Sequence, residues 1–156
     1  MLDAVSNSGP LIHLKEINCM HLFDLFNTLT VPTSVLEEVG ELTLKNIKVV
    51  RVSEKDKAFM KSISKFKLQQ AEIDALFLAK NSNSMFLTDD LEARDAANHL
   101  RIEVHGSLGI IAMAHKKRMI SLAEAKQLIL DLYNNSTIFL TKALVDLVMR
   151  ELDKGG

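Results

Sequence analysis

Residues 85–100 read MFLTDDLEARDAANHL, and the fold turns on how this stretch is parsed. Met85-Phe86-Leu87 is a short apolar run of the kind that forms a buried strand. Leu91, Ala93, Ala96, Ala97 and Leu100 then recur at close to helical spacing. A strand therefore runs directly into a helix, with Thr88, Asp89 and Asp90 on the corner between them. In open parallel α/β sheets, ligands bind beyond the carboxyl ends of strands, where this corner lies. Two readings of the acids are open. Asp89 or Asp90 can N-cap the helix, Asp89 with Glu92 resembling a capping box. Alternatively, the pair forms one wall of a site that other acids complete.

Working towards the N-terminus, Gln69–Lys80 (QQAEIDALFLAK) reads as a helix with apolar residues almost all the way round, hence mostly buried. Ser53 is expected to cap a lysine-rich helix to about Phe66, following a strand over 47–52. Lys55, Lys57, Lys61, Lys65 and Lys67 make this the most basic region, read as a solvated face. Pro32–Gly40 (PTSVLEEVG) is a helix begun by proline and stopped by glycine. It follows a brief strand at 29–31 and a helix from Met20 to Phe26. Leu2–Ser6 forms the first strand and ends at Asn7-Ser8-Gly9-Pro10, which opens a short amphipathic helix.

Towards the C-terminus, Arg101–Val104 reads as a further strand, and His105-Gly106-Ser107 turns into the helix LGIIAMAHKKRM. Ser121, with Glu124 three residues on, caps a helix to Tyr133, and a last helix spans 138–152. Strands alternating with helices, followed by helices alone, predict a three-layer α/β/α sandwich with a short parallel sheet. The prediction is one domain over 1–156, with 121–156 as a helical C-terminal extension.

Composition narrows the function classes. At 47% hydrophobic and 25% charged, the chain resembles ordinary globular proteins. A net charge of −1 excludes global basicity as a means of holding nucleic acid, so such a ligand needs a local basic patch or metal ions. The lone Cys19 forbids an internal disulfide and fits a reducing cytoplasm, and it lies among apolar residues as a core side chain would. No apolar run reaches the length of a membrane span, and a soluble cytoplasmic protein is expected. His13, His21, His99, His105 and His115 lack metal-site spacing and read as structural or surface residues. Neither a GxGxxG motif, a P-loop nor a GxSxG motif occurs.

Which acids could meet the corner? Glu72 and Asp74 lie in the apolar helix without a Lys or Arg three or four residues away on it. A carboxylate so placed raises its pKa or finds a cation elsewhere. The two project about 200° apart and cannot easily serve one site. Asp74 lies within the apolar pattern, whereas Glu72 lies near the helix start, where an acid is favourable anyway, so Asp74 is favoured. Glu37, Glu38 and Glu41 crowd a helix C-terminus, where the dipole disfavours them, unless one faces a cation. Asn7 ends the first strand, whose carboxyl end should neighbour that of the strand at 85–87. Oxygen-only clusters of this kind suit Mg²⁺ or Mn²⁺.

Five blocks, AVSNSGPLI (4–12), VPTSVLEEV (31–39), QQAEIDALFLA (69–79), LTDDLEAR (87–94) and VHGSLGII (104–111), together resemble a PIN domain. More narrowly, they resemble a prokaryotic branch of PIN-like proteins related to toxin–antitoxin ribonucleases. The resemblance spans roughly residues 2–120. It implies an α/β/α fold and a Mg²⁺- or Mn²⁺-dependent endoribonuclease, with RNA as substrate and an antitoxin protein as partner. The family's metal-holding acids would fall on Asn7, Glu38, Asp74 and Asp90, with Asp89 adjacent, and Glu38, Asp74 and Asp90 would carry catalysis. Glu72 matches a second acid of the branch. Ser8 and Thr88 match polar residues that hold the site, and Arg94 matches a basic residue able to meet a phosphate or to pair with Asp90 or Glu38. The sequence departs from the pattern with Asn7 in place of Asp, Ala71 in place of Gly and Asp74 in place of Glu. Asn7 leaves a second reading open, a catalytically impaired module that binds RNA or protein. By analogy a homodimer is expected, with the stripe Phe139, Leu140, Leu144, Leu147 and Val148 either forming its surface or packing on the chain's own sheet.

Overall fold

The computed structural model describes residues 2–155. Five parallel strands form one sheet in the order β3-β2-β1-β4-β5. They are β1 (Leu2–Ser6), β2 (Phe26–Pro32), β3 (Ile47–Val50), β4 (Met85–Leu87) and β5 (Val104–His105). Among the described residues the α-helices are α1 (Ser8–Glu16), α2 (Thr33–Val39), α3 (Lys57–Ser62), α4 (Gln70–Ser82), α5 (Leu91–His99), α6 (Ser107–Lys116), α7 (Leu122–Asn135) and α8 (Lys142–Lys154). The expected α/β/α architecture is thus observed.

Alternation along the strands builds the layers. Ala4, Met85 and Leu87 point into one core with residues of α1, α6, α7 and α8, such as Leu11, Ile111, Ile129 and Leu152. Val5 and Phe86 point to the opposite core, closed by α3, α4 and α5 through Phe59, Leu76 and Ala96. Both faces are covered, as a parallel sheet requires. The residues expected to form a C-terminal extension share the first core through Ala125, Ile129, Val145 and Leu152.

Connections run from β1 outward to β2 and β3, then cross back to β4 and β5. The winding direction therefore reverses between β1 and β4, which pair as Ala4 with Met85, Val5 with Phe86 and Ser6 with Leu87. Loops leaving the carboxyl ends of these two strands diverge to opposite sides, and the crevice between them is the place such folds reserve for ligands.

Several element boundaries differ from the sequence reading. The segment from Met20 is a 3-10 helix, Met20–Leu25, and β2 begins at once at Phe26. That strand is longer than the apolar run 29–31 because it pairs on both sides, with β1 and β3. The strand read over 47–52 ends at Val50. The following helix starts later and ends sooner: Asp56, not Ser53, accepts the Phe59 N–H at 2.7 Å, and α3 stops at Ser62. Arg101 has a left-handed backbone (φ 59°), so extended structure resumes only at Val104. Thr141 caps the last helix by accepting the Leu144 N–H, which excludes 138–141 from it. The Ser121–Glu124 capping box is present as expected.

Gly40 terminates α2 with φ 80° and ψ −161°, a region open in practice to glycine alone. Nothing lies near its missing Cβ, so backbone strain is the sole consequence of adding one. Gly40→Ala should therefore destabilise the fold by about 1–3 kcal/mol, read from urea unfolding, without altering the packing of the neighbouring helix.

Candidate functional site

The crevice between β1 and β4 opens into a pocket of about 240 Å³ lined by Asn7, Ser8, Glu38, Glu72, Thr88, Asp89 and Asp90, with His13 and Gln69 at its walls. The side chains arrive from four regions: the end of β1 with α1, the last turn of α2, the start of α4 and the β4–α5 corner. Asn7 is the residue after β1, and its N–H continues the ladder by donating to the Leu87 carbonyl at 2.9 Å. Its Nδ2 donates to Thr88 Oγ1 at 3.1 Å, joining the ends of the two central strands. Thr88 Oγ1 also accepts the Asp90 N–H at 3.1 Å. Glu38 reaches in from the last turn of α2 and accepts the Ser8 hydroxyl at 2.6 Å.

Glu72 occupies the third position of α4, where its carboxylate accepts the Gln69 N–H at 2.8 Å in a capping box. Its carboxyl lies against the side chains of Asp90 and Asn7. Burial pushes its pKa above the usual carboxylate range. The Gln69 N–H pulls it down, the charge of Asp90 and a hydrogen bond with Asp90 push it up again, and Asn7 pulls it down. Asp90 also caps α5, accepting the Ala93 N–H at 2.8 Å. Capping and facing the pocket are thus united in one residue.

Asp89 does something else. Its Oδ1 accepts the Ser107 N–H at 2.6 Å, while Oδ2 meets the Ser107 hydroxyl at 2.5 Å and His13 Nδ1 at 2.7 Å. With three donors on it, Asp89 is a clamp between the β4 corner, α1 and α6, not the helix cap and not a free metal ligand. Gly106 makes the clamp possible, since a Cβ there would lie 2.7 Å from Asp89 Oδ1 and 2.8 Å from Arg94 Nη2.

Asp74, expected among the metal-holding acids, is not among the residues that line this pocket. It points away from the pocket and is 6% exposed, paired with Lys55 Nζ at 2.7 Å. Ser34 Oγ donates to its Oδ2 at 2.6 Å and Gln70 Nε2 to its Oδ1 at 2.9 Å. The missing cation was found elsewhere, as burial requires. Lys55, expected on a solvated face, is half-buried, whereas Lys57, Lys61, Lys65 and Lys67 are exposed. The 200° divergence along α4 sends Asp74 to α2 and Glu72 to the site.

Ser8 and Thr88 line the pocket, Ser8 donating to Glu38 and Thr88 accepting from Asn7. Arg94 forms no ion pair among the described residues. It lines a neighbouring cleft of about 670 Å³ that shares Asp89 and Asp90 with the pocket and includes Phe139, Leu144 and Val148. The apolar stripe divides: Phe139, Leu144 and Leu147 are exposed, while Leu140 and Val148 are half-buried against the core. Cys19 is wholly buried and its thiol is pushed up to about 12, chiefly by burial.

The site offers oxygen donors, the set suited to a hard divalent cation. Among the described residues, no three His, Cys, Asp or Glu side chains converge closely enough to enclose a metal. The approach of Glu72 and Asp90, two acids in one pocket, is the feature that a cation would relieve. Those two, with Asn7 and Glu38 at the rim, are the residues that would hold it.

A family model described as a PIN domain matches residues 3–154. The chain belongs to the PIN domain family, a fold generally associated with nucleases. A PilT N-terminus domain protein from the hyperthermophilic archaeon Sulfolobus solfataricus P2 is similar in structure. The TM-score is 0.49 and the identity 16%, over 72% of this chain and 93% of that one. Among curated proteins, none matches significantly. Among the described residues, no helix is long and apolar enough to cross a membrane.

Two measurements test this division of roles. Lys55→Met strands a buried carboxylate and should cost about 3–5 kcal/mol in urea unfolding, much of it recovered in Lys55→Met/Asp74→Leu. Glu72 behaves differently. A carboxyl whose native pKa is raised stabilises the fold below the unfolded-state value, and that contribution disappears as pH rises through the native one. In EDTA, wild type should therefore lose stability relative to Glu72→Gln on going from about pH 4 to about pH 8. Parallel stability profiles for the two proteins would show that Glu72 is not strained.

Proposed function

We propose that the chain is a Mg²⁺- or Mn²⁺-dependent endoribonuclease of PIN type, acting as the toxin of a toxin–antitoxin pair. The observation that carries this reading is the meeting of Glu72 and Asp90 beside Asn7 at the β1/β4 crevice, with Glu38 facing them from α2. Family membership supplies the prior, since PIN domains commonly use divalent metals.

When bound, a divalent cation supplies Lewis-acid polarisation of the phosphodiester and lowers the cost of generating a water nucleophile. The chain's own residues do the positioning. Asp90 is held by its cap to Ala93, and Glu72 by Gln69, so both carboxyls are oriented before substrate arrives. Ser8 steadies Glu38, and Thr88 steadies Asn7. Arg94, without an ion-pair partner among the described residues, can meet a phosphate of the RNA strand running into the adjacent cleft. The exposed Phe139, Leu144 and Leu147 are the surface proposed for the antitoxin or a second copy of the chain.

One observation favours the alternative, a catalytically impaired module that binds RNA or protein. Asn7 donates from Nδ2 to Thr88 Oγ1, so it presents a neutral amide where the usual Asp would add a charge. Activity and metal uptake separate the readings. With Mn²⁺, wild type should cleave RNA, and Asp90→Asn, which keeps a good helix cap, should lose about 100-fold or more. Wild type should also gain thermal stability from Mn²⁺, and Glu72→Gln should gain much less. No cleavage, or equal cleavage by Asp90→Asn, would overturn the enzyme reading in favour of the binder.

A further inference from the structure

We propose that His13 is a catalytic residue of this pocket, its Nε2 delivering a proton to the departing oxygen of the phosphodiester. The inference rests on the nuclease reading and adds a function that the acids do not provide. His13 lies on α1, one turn beyond Gly9, and its Nδ1 is 2.7 Å from Asp89 Oδ2. Asp89 is held from its other oxygen by the Ser107 N–H, so it stands as a fixed acceptor and the hydrogen of that contact belongs to Nδ1. The ring's orientation and tautomer are both set by this bond, and Nε2 is left as the reactive atom.

Nε2 has no protein partner among the described residues. The only sealed and unpartnered side-chain polar atom there is Asn46 Oδ1, so Nε2 reaches solvent. The ring is 15% exposed, and the space it borders is the acid pocket. No other histidine lines that pocket. The remaining linings are carboxylates, hydroxyls and amides, whereas a departing ribose oxygen needs a proton. Histidine is the side-chain type that gives and regains one near neutrality. An Asp-oriented imidazole facing the place where a phosphodiester would sit thus has the geometry of a general acid. As water oxygen bonds to phosphorus, the bond from phosphorus to the leaving oxygen breaks. The Nε2 proton passes to that oxygen, and the proton released by the attacking water restores the ring through solvent.

His13→Asn is the informative variant, because its amide keeps the donor to Asp89 and removes Nε2. With Mn²⁺, its RNA cleavage should fall by about 100-fold or more, the usual scale for a general acid. Cleavage of a p-nitrophenyl phosphodiester, whose leaving group departs without a proton, should fall by less than about 10-fold. Equal losses on both substrates, or a loss on RNA below about 10-fold, overturn the proposal while leaving the nuclease reading intact. A wild-type protein inert towards RNA overturns the nuclease reading and this inference with it. A readout independent of activity is the ¹⁵N spectrum of His13 with the ring neutral, which should show hydrogen on Nδ1 and a lone pair on Nε2. The reverse tautomer overturns the proposal.

Discussion

The three hydrogen bonds on Asp89 hold the site in place. A carboxylate at the end of β4 accepts from the first residue of α6 and from the middle of α1, so the two helices flanking the crevice are tied to one corner. Charge-assisted bonds to a buried acid are strong and directional. Gly106 allows α6 to approach so closely, and Gly9 allows α1 to do the same, a Cβ there lying 3.2 Å from the Cβ of Asp89. Because Asp89 is spent on this task, Asp90 is released to cap α5 and face the pocket. Adjacent acids on one turn thus perform unlike functions.

Topology explains why the acids gather here. Chain reversal between β1 and β4 leaves an open crevice, and Asn7 and Thr88 bridge its floor. Glu38 and Glu72 come from helices on either side of that line. Neither is near the other in sequence, and only the right-handed crossovers of a parallel sheet bring α2 and α4 to the same edge.

Electrostatics distinguish the two acids of α4. Asp74 is neutralised by Lys55 and two further donors, so it joins α4 to α2 and to the segment before α3. Glu72 meets another acid instead, and its pKa is raised first by burial and then by the charge of Asp90. A protein that needed only stability would gain by replacing one of that pair with an amide. A half-buried carboxyl perturbed by a charged neighbour in a crevice is the kind of environment in which functional sites are found.

By itself, the sequence determined the layer architecture, because alternating buried strands and helices admit few arrangements. It determined the Thr88–Asp90 corner, the Asn7 turn and the Ser121 cap, because each depends on neighbours within a few residues. Glu38 was legible as an acid misplaced at a helix end. The apolar pattern of α4 favoured Asp74, and only the tertiary structure shows that Glu72 lines the pocket instead, since neither has a Lys or Arg three or four residues away to distinguish them. The difference rests on Lys55, which pairs with Asp74 from an earlier segment without regular structure. Tertiary structure likewise decided between Asp89 and Asp90, whose difference lies in Ser107 and His13. Local spacing reports what a helix or turn needs, whereas the partner of a buried charge is chosen by long-range packing, to which periodicity is blind.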